Sequence, residues 1–279
     1  TDIHFHGCKG YDFCDGTKEA IDTMAAYEAS VGVTCIVPAT MTLGEDTLFG
    51  ICQVAKEYRE EGLKEKRARF CGINMEGPFV AESKKGAQNG AYIRKPDIAM
   101  FDKLNEASGN MVKLVAIAPE VEDAMDFNEK KHNEVVISLA HTAAGYDTAI
   151  AAFEKGASHV THLYNAMNPY THRAPGLVGA AADTHKAEVE LICDGVHIHP
   201  AAVRTTFKIF GDDRIILISD SMMATGLEDG DYSLGGQAVK VVGNLATLEN
   251  GTIAGSATNL MDCMRTAVLK MGIPLESAV

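Results

Sequence analysis

His4 and His6 lie two positions apart at the start of the chain, in a segment that alternates polar and apolar side chains like a strand. On a β-strand, residues i and i+2 point to the same face, so both imidazoles could bind one metal ion. His197 and His199 form a second pair with this spacing. Because so short a pattern also arises by chance, either pair alone is weak evidence for a metal site.

A glutamate and two further histidines follow other apolar stretches. Glu76 precedes a Gly-Pro step, and His141 and His162 follow the short runs SLA and HVT. Taken singly, each has an ordinary explanation: a solvated turn for the glutamate, a hydrogen-bonded structural role for each histidine. Together, two histidines and a carboxylate match the three-ligand open site of a catalytic metal ion.

Asp220 follows the apolar run IILIS. A carboxylate there could take a proton from a water at the metal ion and later deliver it to a leaving amine. The metal ion would lower the pKa of that water to about 7 and polarise the carbonyl under attack. The alternative role for Asp220 is capping of the next helix.

Short β-branched stretches alternate with amphipathic ones along the whole chain. The spacing predicts strands near residues 2–6, 33–38, 69–75, 112–117, 134–140, 158–162, 188–193 and 214–219. It predicts helices over residues 17–31, 46–62, 97–107, 121–130, 146–155, 200–210 and 258–271, with a short helix in GLVGAAADTH. Eight strand–helix units favour a closed (β/α)₈ barrel of the TIM type, within the α/β class. The candidate residues would then share one site, since reactive groups of such barrels cluster at the C-terminal strand ends.

An open, doubly wound sheet is the structural alternative. Such a sheet usually has a Gly-rich phosphate loop after its first strand, where this chain reads HFHGCKG. Two stretches depart from the alternation. Residues 77–96 are predicted to form a loop over the barrel mouth, and residues around 226–251 an inserted β-hairpin. We predict one catalytic domain over residues 1–279.

Composition narrows the functional classes. Hydrophobic residues make up 46% and charged residues 23% of the chain, which is typical of a globular protein. The net charge of -13 argues against a general affinity for nucleic acid. No run of about 18 apolar residues is present, so no membrane span is predicted. Seven cysteines without a C-x-x-C pair predict buried thiols and a reducing, cytoplasmic location.

The motifs as a set resemble the N-acetylglucosamine-6-phosphate deacetylases of the amidohydrolase superfamily, over nearly the whole chain. The matching segments are, in order, HFHG, NMEGPF, APE, SLAHTAAG, THLYNAM, HRAPGLVG, CDGVHIHP, LISDSMMATG and GTIAGS. The resemblance implies hydrolysis of the N-acetyl group of N-acetylglucosamine 6-phosphate, giving glucosamine 6-phosphate and acetate.

The resemblance also implies roles by position. It places metal ligands at Glu76, His141 and His162 and a general acid/base at Asp220. The implied substrate-binding positions are Ala87, Asn165, Ala166, Arg173, His197 and Ile253. Among these, His197 and the backbone N–H groups of Asn165 and Ala166 would bind the sugar phosphate. Arg173 matches an arginine that reaches the phosphate held by the neighbouring subunit, which implies a homodimer.

Family members vary at the first strand. Some keep the H-x-H pattern and hold two metal ions with the glutamate shared between them, whereas others hold one. Because His4 and His6 are present, a second metal ion is expected. Zinc is the first expectation and iron, cobalt or manganese are the alternatives, since imidazole and carboxylate ligands suit all four.

The family also carries a small β-domain, built from residues before the first strand and after the last helix. Neither piece is present in this sequence. We therefore expect a barrel without that domain, and a lower stability than in a chain that has it.

Two other functions stay open from the sequence. One is a different amidohydrolase reaction, on a cyclic amide or on N-acetylgalactosamine 6-phosphate, whose single inverted hydroxyl is read by few contacts. The other is binding of a phosphorylated sugar without turnover. The complete set of predicted ligands, together with Asp220, argues against this second function.

Overall fold

The computed structural model describes residues 1–279. Its α-helices are α1 Lys18–Ser30, α2 Glu45–Glu60, α3 Ile98–Ala107, α4 Ala124–Lys131, α5 Tyr146–Glu154, α6 Gly176–Asp183, α7 Pro200–Phe210, α8 Leu260–Leu269 and α9 Leu275–Ala278. Its strands are β1 Gly7–Cys8, β2 Tyr11–Asp12, β3 Cys35–Ile36, β4 Arg69–Phe70, β5 Ile73–Met75, β6 Val112–Ile117, β7 Val136–Leu139, β8 His159–Val160, β9 Glu188–Ile192, β10 Ile215–Ile218, β11 Gly230–Leu234, β12 Gln237–Val242, β13 Leu245–Leu248 and β14 Ile253–Ser256. No helix is both long and apolar enough to cross a membrane.

Six parallel strands form a curled sheet in the order β5–β6–β7–β8–β9–β10. The helices α3, α4, α5, α6 and α7 connect its successive strands, as parallel neighbours require. Two of these helices, α3 and α7, begin at side-chain N-caps, and at α3 the Asp97 side chain accepts from Met100 N. The predicted fold class, an α/β barrel of the amidohydrolase type, is confirmed.

The predicted strands at residues 2–6 and 33–38 complete the ring through isolated bridges and the two-residue ladder of β3 and β4. On one side, Asp2 N donates to the carbonyl of the second of these segments at 3.1 Å. On the other side, Asp220 N donates to His4 O at 2.9 Å. The first segment therefore lies between the second segment and the end of β10, which joins the two edges of the curled sheet.

An aromatic cluster packs around the chain just after β5. The ring centroid of Phe127, in α4, lies 5.6 Å from that of Phe79 and 5.4 Å from that of Phe101, in α3. Tilted and edge-to-face pairs at this spacing add to the stabilisation that burial alone provides. Since Phe79 is three residues after Glu76, the cluster holds the backbone beside that carboxylate.

The region of the predicted β-hairpin, residues 226–251, overlaps a larger element. Strands β11 to β14 form a four-stranded antiparallel sheet that runs from Gly230 to Ser256. Its buried face includes Leu234 and packs in a small apolar cluster of its own. A bridge between Ser221 and Ser256 joins this sheet to the end of β10. The sheet therefore forms a wall beside the barrel mouth.

The loop predicted over the mouth, residues 77–96, contains two short 3₁₀ helices, Glu82–Lys84 and Gly90–Tyr92. The carbonyl of Ala87 accepts a hydrogen bond from the Gln237 side chain in β12. The loop is thus held against the four-stranded sheet, and it covers the strand ends from that side.

Candidate active site

Glu76, His141 and His162 converge at the C-terminal end of the barrel, and we call them the outer triad. Glu76 directly follows β5, and the two histidines follow the ends of β7 and β8. Both histidine Nε2 atoms lie 3.1 Å from Glu76 Oε1 and 3.2 Å from each other. All three side chains are buried. The structure thus brings the predicted ligand set together in one cluster.

His4, His6 and Glu76 form a second cluster, which we call the inner triad. His4 Nε2 lies 3.4 Å from Glu76 Oε1, and His6 Nε2 lies 3.3 Å from Glu76 Oε2. The two triads therefore share the Glu76 carboxylate, whose Oε2 atom is turned toward His6. In each triad, the candidate ligand atoms lie within 4.8 Å of one another.

Three of the site residues adopt left-handed backbone conformations. The φ angles are 44° at His141, 30° at His162 and 50° at Asp220. For non-glycine residues such conformations cost on the order of 1–3 kcal/mol each and concentrate at functional sites. Each residue follows the end of a barrel strand, so the sharp turn directs its side chain to the other site residues instead of continuing the strand alternation.

The donor atoms fit a divalent metal ion. Four tetrahedral ligand atoms at about 2.1 Å from zinc stand roughly 3.4 Å apart. The separations of 3.1 and 3.2 Å within the outer triad are close to that value. In the inner triad, His4 Nε2 is buried without a hydrogen-bond partner. Since unpartnered buried polar atoms are rare, this nitrogen is available as a ligand.

Opposing effects determine the charges at the site. Burial alone would raise the pKa of Glu76, but His4, His141 and His162 hold it well below the usual value. For Asp220, burial likewise acts to raise the pKa, and the interactions with His6 and His4 lower it overall. Both carboxyl groups are therefore favoured as anions, whose charge a divalent cation would balance.

Asp220 faces the inner triad. Its Oδ1 atom lies 3.3 Å from His6 Nε2 and 3.7 Å from His4 Nε2. The hydrogen bonds of His6 with Asp220 and Glu76 outweigh its burial and raise its pKa to about 10. The next regular element after β10 is the strand β11 and not a helix, so Asp220 does not cap a helix.

A cavity of about 330 Å³ opens above the triads. Its lining contains five of the six predicted substrate positions, namely Ala87, Asn165, Ala166, His197 and Ile253. Sequence reasoning missed other lining residues, including Met41, Gln88, Leu234 and Thr252. Arg173, the sixth predicted position, does not line the cavity and lies exposed in the loop before α6.

The groups predicted to bind the phosphate differ in whether they already have a partner within the chain. The N–H group of Asn165 donates to His162 O at 2.9 Å within a turn. Ala166 has a φ of 52°, and its N–H group has no hydrogen-bond acceptor within the chain. His197 Nδ1 is held 2.7 Å from Asp194 Oδ2. Burial alone would lower the pKa of His197, but this contact raises it overall and favours the imidazolium form.

His199, the second histidine of the pair with His197, has a structural role. The His199 ring accepts a hydrogen bond from Ala201 N and caps α7. His197 and His199 therefore do not share a ligand, although their spacing equals that of His4 and His6. Equal spacing thus brought two histidines to one shared carboxylate, Glu76, only in the first pair.

Two buried polar residues that sequence reasoning missed contact the triads directly. Gln88 Nε2 donates to Glu76 Oε2 at 2.8 Å, and Glu190 Oε2 lies 2.7 Å from His4 Nδ1. Gln88 is part of a loop without periodicity. Glu190 alternates with Glu188 along β9, and that alternation alone does not show that one of the two points into a barrel.

Comparisons with known proteins agree with this site. Residues 1–278 match the family model described as "Amidohydrolase family". The chain is 38% identical to N-acetylglucosamine-6-phosphate deacetylase of Bacillus subtilis, over 95% of this chain and 67% of that protein. It is 34% identical to N-acetylgalactosamine-6-phosphate deacetylase of Escherichia coli O157:H7, over 100% of this chain and 73% of that protein.

Solved structures extend the match to three dimensions. A mutant N-acetyl-D-glucosamine-6-phosphate deacetylase from Mycobacterium smegmatis, in complex with N-acetyl-D-glucosamine-6-phosphate, superposes with a TM-score of 0.93 at 34% identity. The alignment covers 100% of this chain and 72% of that chain. The resemblance that the sequence motifs indicate is therefore confirmed. The chain belongs to the amidohydrolase family of metal-dependent hydrolases.

Proposed function

We propose that the protein removes the acetyl group from N-acetylglucosamine 6-phosphate, releasing glucosamine 6-phosphate and acetate. The observation that carries this proposal is that the outer triad, His6 and Asp220 all line one cavity. The named activities of the relatives support the same substrate class. The reaction is hydrolysis of a linear amide, as part of amino-sugar catabolism.

Glu76, His141 and His162 would hold the first divalent metal ion, and His4, His6 and Glu76 the second. Such an ion supplies Lewis acidity, which polarises the amide carbonyl and makes a water molecule nucleophilic near neutral pH. Zinc suits these ligands first, with iron, cobalt or manganese as alternatives. The shared position of Glu76 supports two ions per chain, because its carboxylate contacts histidines of both triads.

Asp220 moves the proton. As an anion, it accepts a proton from the attacking water while the water oxygen bonds to the amide carbon. It then gives that proton to the amide nitrogen as the carbon–nitrogen bond breaks. Acetic acid and the free amine leave, the acid loses its proton to become acetate, and Asp220 returns to its starting charge. The lowered pKa of Asp220 favours the anionic form that the first step requires.

The phosphate group of the substrate would bind at His197 and Ala166, which line the same cavity. His197 offers an imidazole that Asp194 favours as a cation, and Ala166 offers an unpaired N–H group. A cation and a backbone donor together suit a phosphate oxygen. Because the whole chain carries a net charge of -13, these local groups are needed to attract an anionic sugar.

Arg173 is proposed to act in a homodimer. Its side chain is exposed and lies outside the cavity lining of its own chain, so it is free to contact the phosphate bound by a partner subunit.

The seven cysteines are all free thiols, and this supports our proposal of a reducing, cytoplasmic location.

Acetate release from N-acetylglucosamine 6-phosphate tests the function. Purified protein should be reconstituted with zinc, iron, cobalt or manganese, and the metal content of each sample measured alongside. The same assay with N-acetylgalactosamine 6-phosphate decides the sugar preference, which the E. coli relative makes a specific question. No acetate from either sugar phosphate, at full metal loading, would refute the proposal.

The phosphate site has its own test. His197→Gln keeps a hydrogen-bonding side chain but removes the charge, and one charge-assisted hydrogen bond contributes about 1.5–3 kcal/mol. We expect the KM for the phosphorylated sugar to rise about tenfold to a hundredfold. The activity toward unphosphorylated N-acetylglucosamine should change little. An equal loss for both sugars would instead place His197 in the chemical step.

A further inference from the structure

A row of buried polar side chains crosses the barrel interior beneath the triads. Glu190 in β9 is 0% exposed, and His159 in β8 and Ser138 in β7 are buried beside it. Ser138 Oγ lies 2.8 Å from His159 Nδ1, and His159 Nε2 lies 3.8 Å from Glu190 Oε1. Burying a carboxylate without a partner is costly. The groups that contact Glu190 must therefore offset that cost.

One oxygen of Glu190 makes both of its hydrogen bonds. Glu190 Oε2 lies 2.7 Å from His4 Nδ1, and it accepts from the backbone N–H of His162 at 3.0 Å. Oε1 has no hydrogen-bond partner. A single buried atom therefore contacts one residue of the inner triad and one residue of the outer triad.

The contact with His4 fixes which ring nitrogen carries the proton. A carboxylate can only accept, so Nδ1 of His4 must be the donor. In a neutral imidazole, Nε2 is then left with its lone pair, and this atom faces Glu76 and Asp220. Carboxylates that hold metal-binding histidines in this way also increase the basicity of the ligand.

We propose that Glu190 is the positioning residue of the metal centre, which orients His4 as a ligand of the second metal ion and fixes the strand-end turn that presents His162 to the first. This inference rests on the proposed metal-dependent function. It predicts that Glu190 acts mainly on metal affinity, and more on the inner position than on the outer one, because only the inner contact involves a ligand ring.

Two substitutions separate charge from geometry. In Glu190→Gln, the amide oxygen can replace Oε2 and keep both hydrogen bonds, so only the negative charge is lost. Glu190→Leu removes the charge and both hydrogen bonds. Glu188→Gln is the matched control, since Glu188 lies in the same strand but is exposed.

Metal binding is the primary measurement. Zinc and cobalt should be titrated into metal-free protein against a competing chelator, and the ions bound per chain counted by elemental analysis. We expect the inner affinity to fall about tenfold in Glu190→Gln and up to about a hundredfold in Glu190→Leu. Glu188→Gln should bind both ions like the unmodified protein.

A purely structural role predicts a different pattern. Glu190→Leu would then destabilise the metal-free protein and leave the affinity of the folded protein unchanged. The positioning role adds a loss of metal affinity to that destabilisation. Glu190→Leu leaves His4 Nδ1 and the N–H group of His162 buried without an acceptor, so the melting temperature of the metal-free protein should fall. Glu190→Gln keeps both hydrogen bonds, so its metal-free melting temperature should stay the same while the increase in melting temperature on adding zinc shrinks.

Unchanged stoichiometry and affinity in Glu190→Gln and Glu190→Leu would overturn the inference, as would a protein that binds no metal at all. If Glu190→Leu does not fold, the Gln variant still decides the question. Failure of the proposed function looks different, since the unmodified protein would then bind metal with the expected dependence on Glu190 but release no acetate from the sugar phosphate.

Discussion

The outer and inner triads share Glu76 but are built in different ways. His141 and His162 come from two separate strands, and each needs a left-handed backbone turn to reach the carboxylate. His4 and His6 come from one short segment, in which Asp2 makes an isolated bridge and His4 lies in a bend. The outer triad therefore gathers its histidines from two strand ends through left-handed turns, whereas the inner triad takes both histidines from neighbouring positions of one segment.

Each triad has one histidine whose Nδ1 atom is anchored, but the anchors differ in kind. His141 Nδ1 lies 2.9 Å from the backbone carbonyl of Lys84, in the loop over the mouth. His4 Nδ1 lies 2.7 Å from the side chain of Glu190, in the barrel interior. The Nδ1 atoms of His6 and His162 are buried without partners. The outer site is thus tied to a loop and the inner site to the barrel core.

Glu76 is the one residue that both triads need, so its substitution should have the largest effect. Glu76→Gln removes the negative charge between the two positions, and we expect both metal ions to be lost. Since a metal ion contributes several kcal/mol to such a reaction, acetate release should fall by more than about a thousandfold. Elemental analysis and an acetate assay on one sample measure both effects. Retention of one tightly bound ion would show that the triads are separate sites.

Asp220 contacts only the histidines of the inner triad. A variant of Asp220 therefore tests whether that contact serves the chemical step or metal binding. Asp220→Asn keeps the shape but cannot accept the proton. We expect kcat to fall about 10²- to 10⁴-fold, the usual contribution of a general acid/base, with both metal ions still bound. Asp231→Asn, in the exposed part of β11, is the control. A loss of the inner metal ion with unchanged kcat would assign Asp220 to binding instead.

Much of the outer triad could be predicted from the sequence because its residues stand at strand ends, and the barrel brings those ends together. The seven long predicted helices lie within a few residues of the observed ones, since their apolar spacing and caps are local signals. The i, i+2 spacing likewise predicted that His4 and His6 reach one ligand, and both contact Glu76 although their segment is not a regular strand. These inferences needed only the periodicity of each element and the topology of the fold.

The rest required the three-dimensional structure. The contact of Glu190 with His4 joins residues 186 positions apart, and nothing in β9 distinguishes an inward carboxylate from a solvated one. Gln88 lies in an aperiodic loop, so no repeat marks it as buried. The predicted hairpin region became a four-stranded sheet, because strand pairing beyond the first turn depends on packing rather than on turn residues.

His141 and His6 are equivalent ligands of the outer and inner triads, so their variants compare the two sites directly. His141→Gln removes an outer ligand, and we expect at least about a hundredfold loss of acetate release, because the first metal ion polarises the substrate. His6→Gln removes an inner ligand, and we expect about one metal ion per chain instead of two and about a tenfold loss. Stopped assays on both variants, with elemental analysis, measure the difference. Equal losses of activity and metal would mean that the two triads act as one indivisible centre.

The smallest effect should come from Gln88, which donates to Glu76 Oε2, the oxygen turned toward His6. Gln88→Leu removes this contact, and we expect the inner metal affinity to fall about tenfold while the outer affinity stays the same. The matched control is Gln237→Leu, which removes a contact to the same loop, at Ala87, without touching Glu76.

Competition titrations with a chelator resolve the two affinities. If Gln237→Leu weakens the inner site as much as Gln88→Leu does, then the position of the loop, and not the hydrogen bond to Glu76, determines the inner affinity. Both triads would then depend on the loop, since His141 is anchored to it at Lys84. If only Gln88→Leu has the effect, the loop acts on the inner site through one hydrogen bond, and the contrast between a loop-held and a core-held site stands.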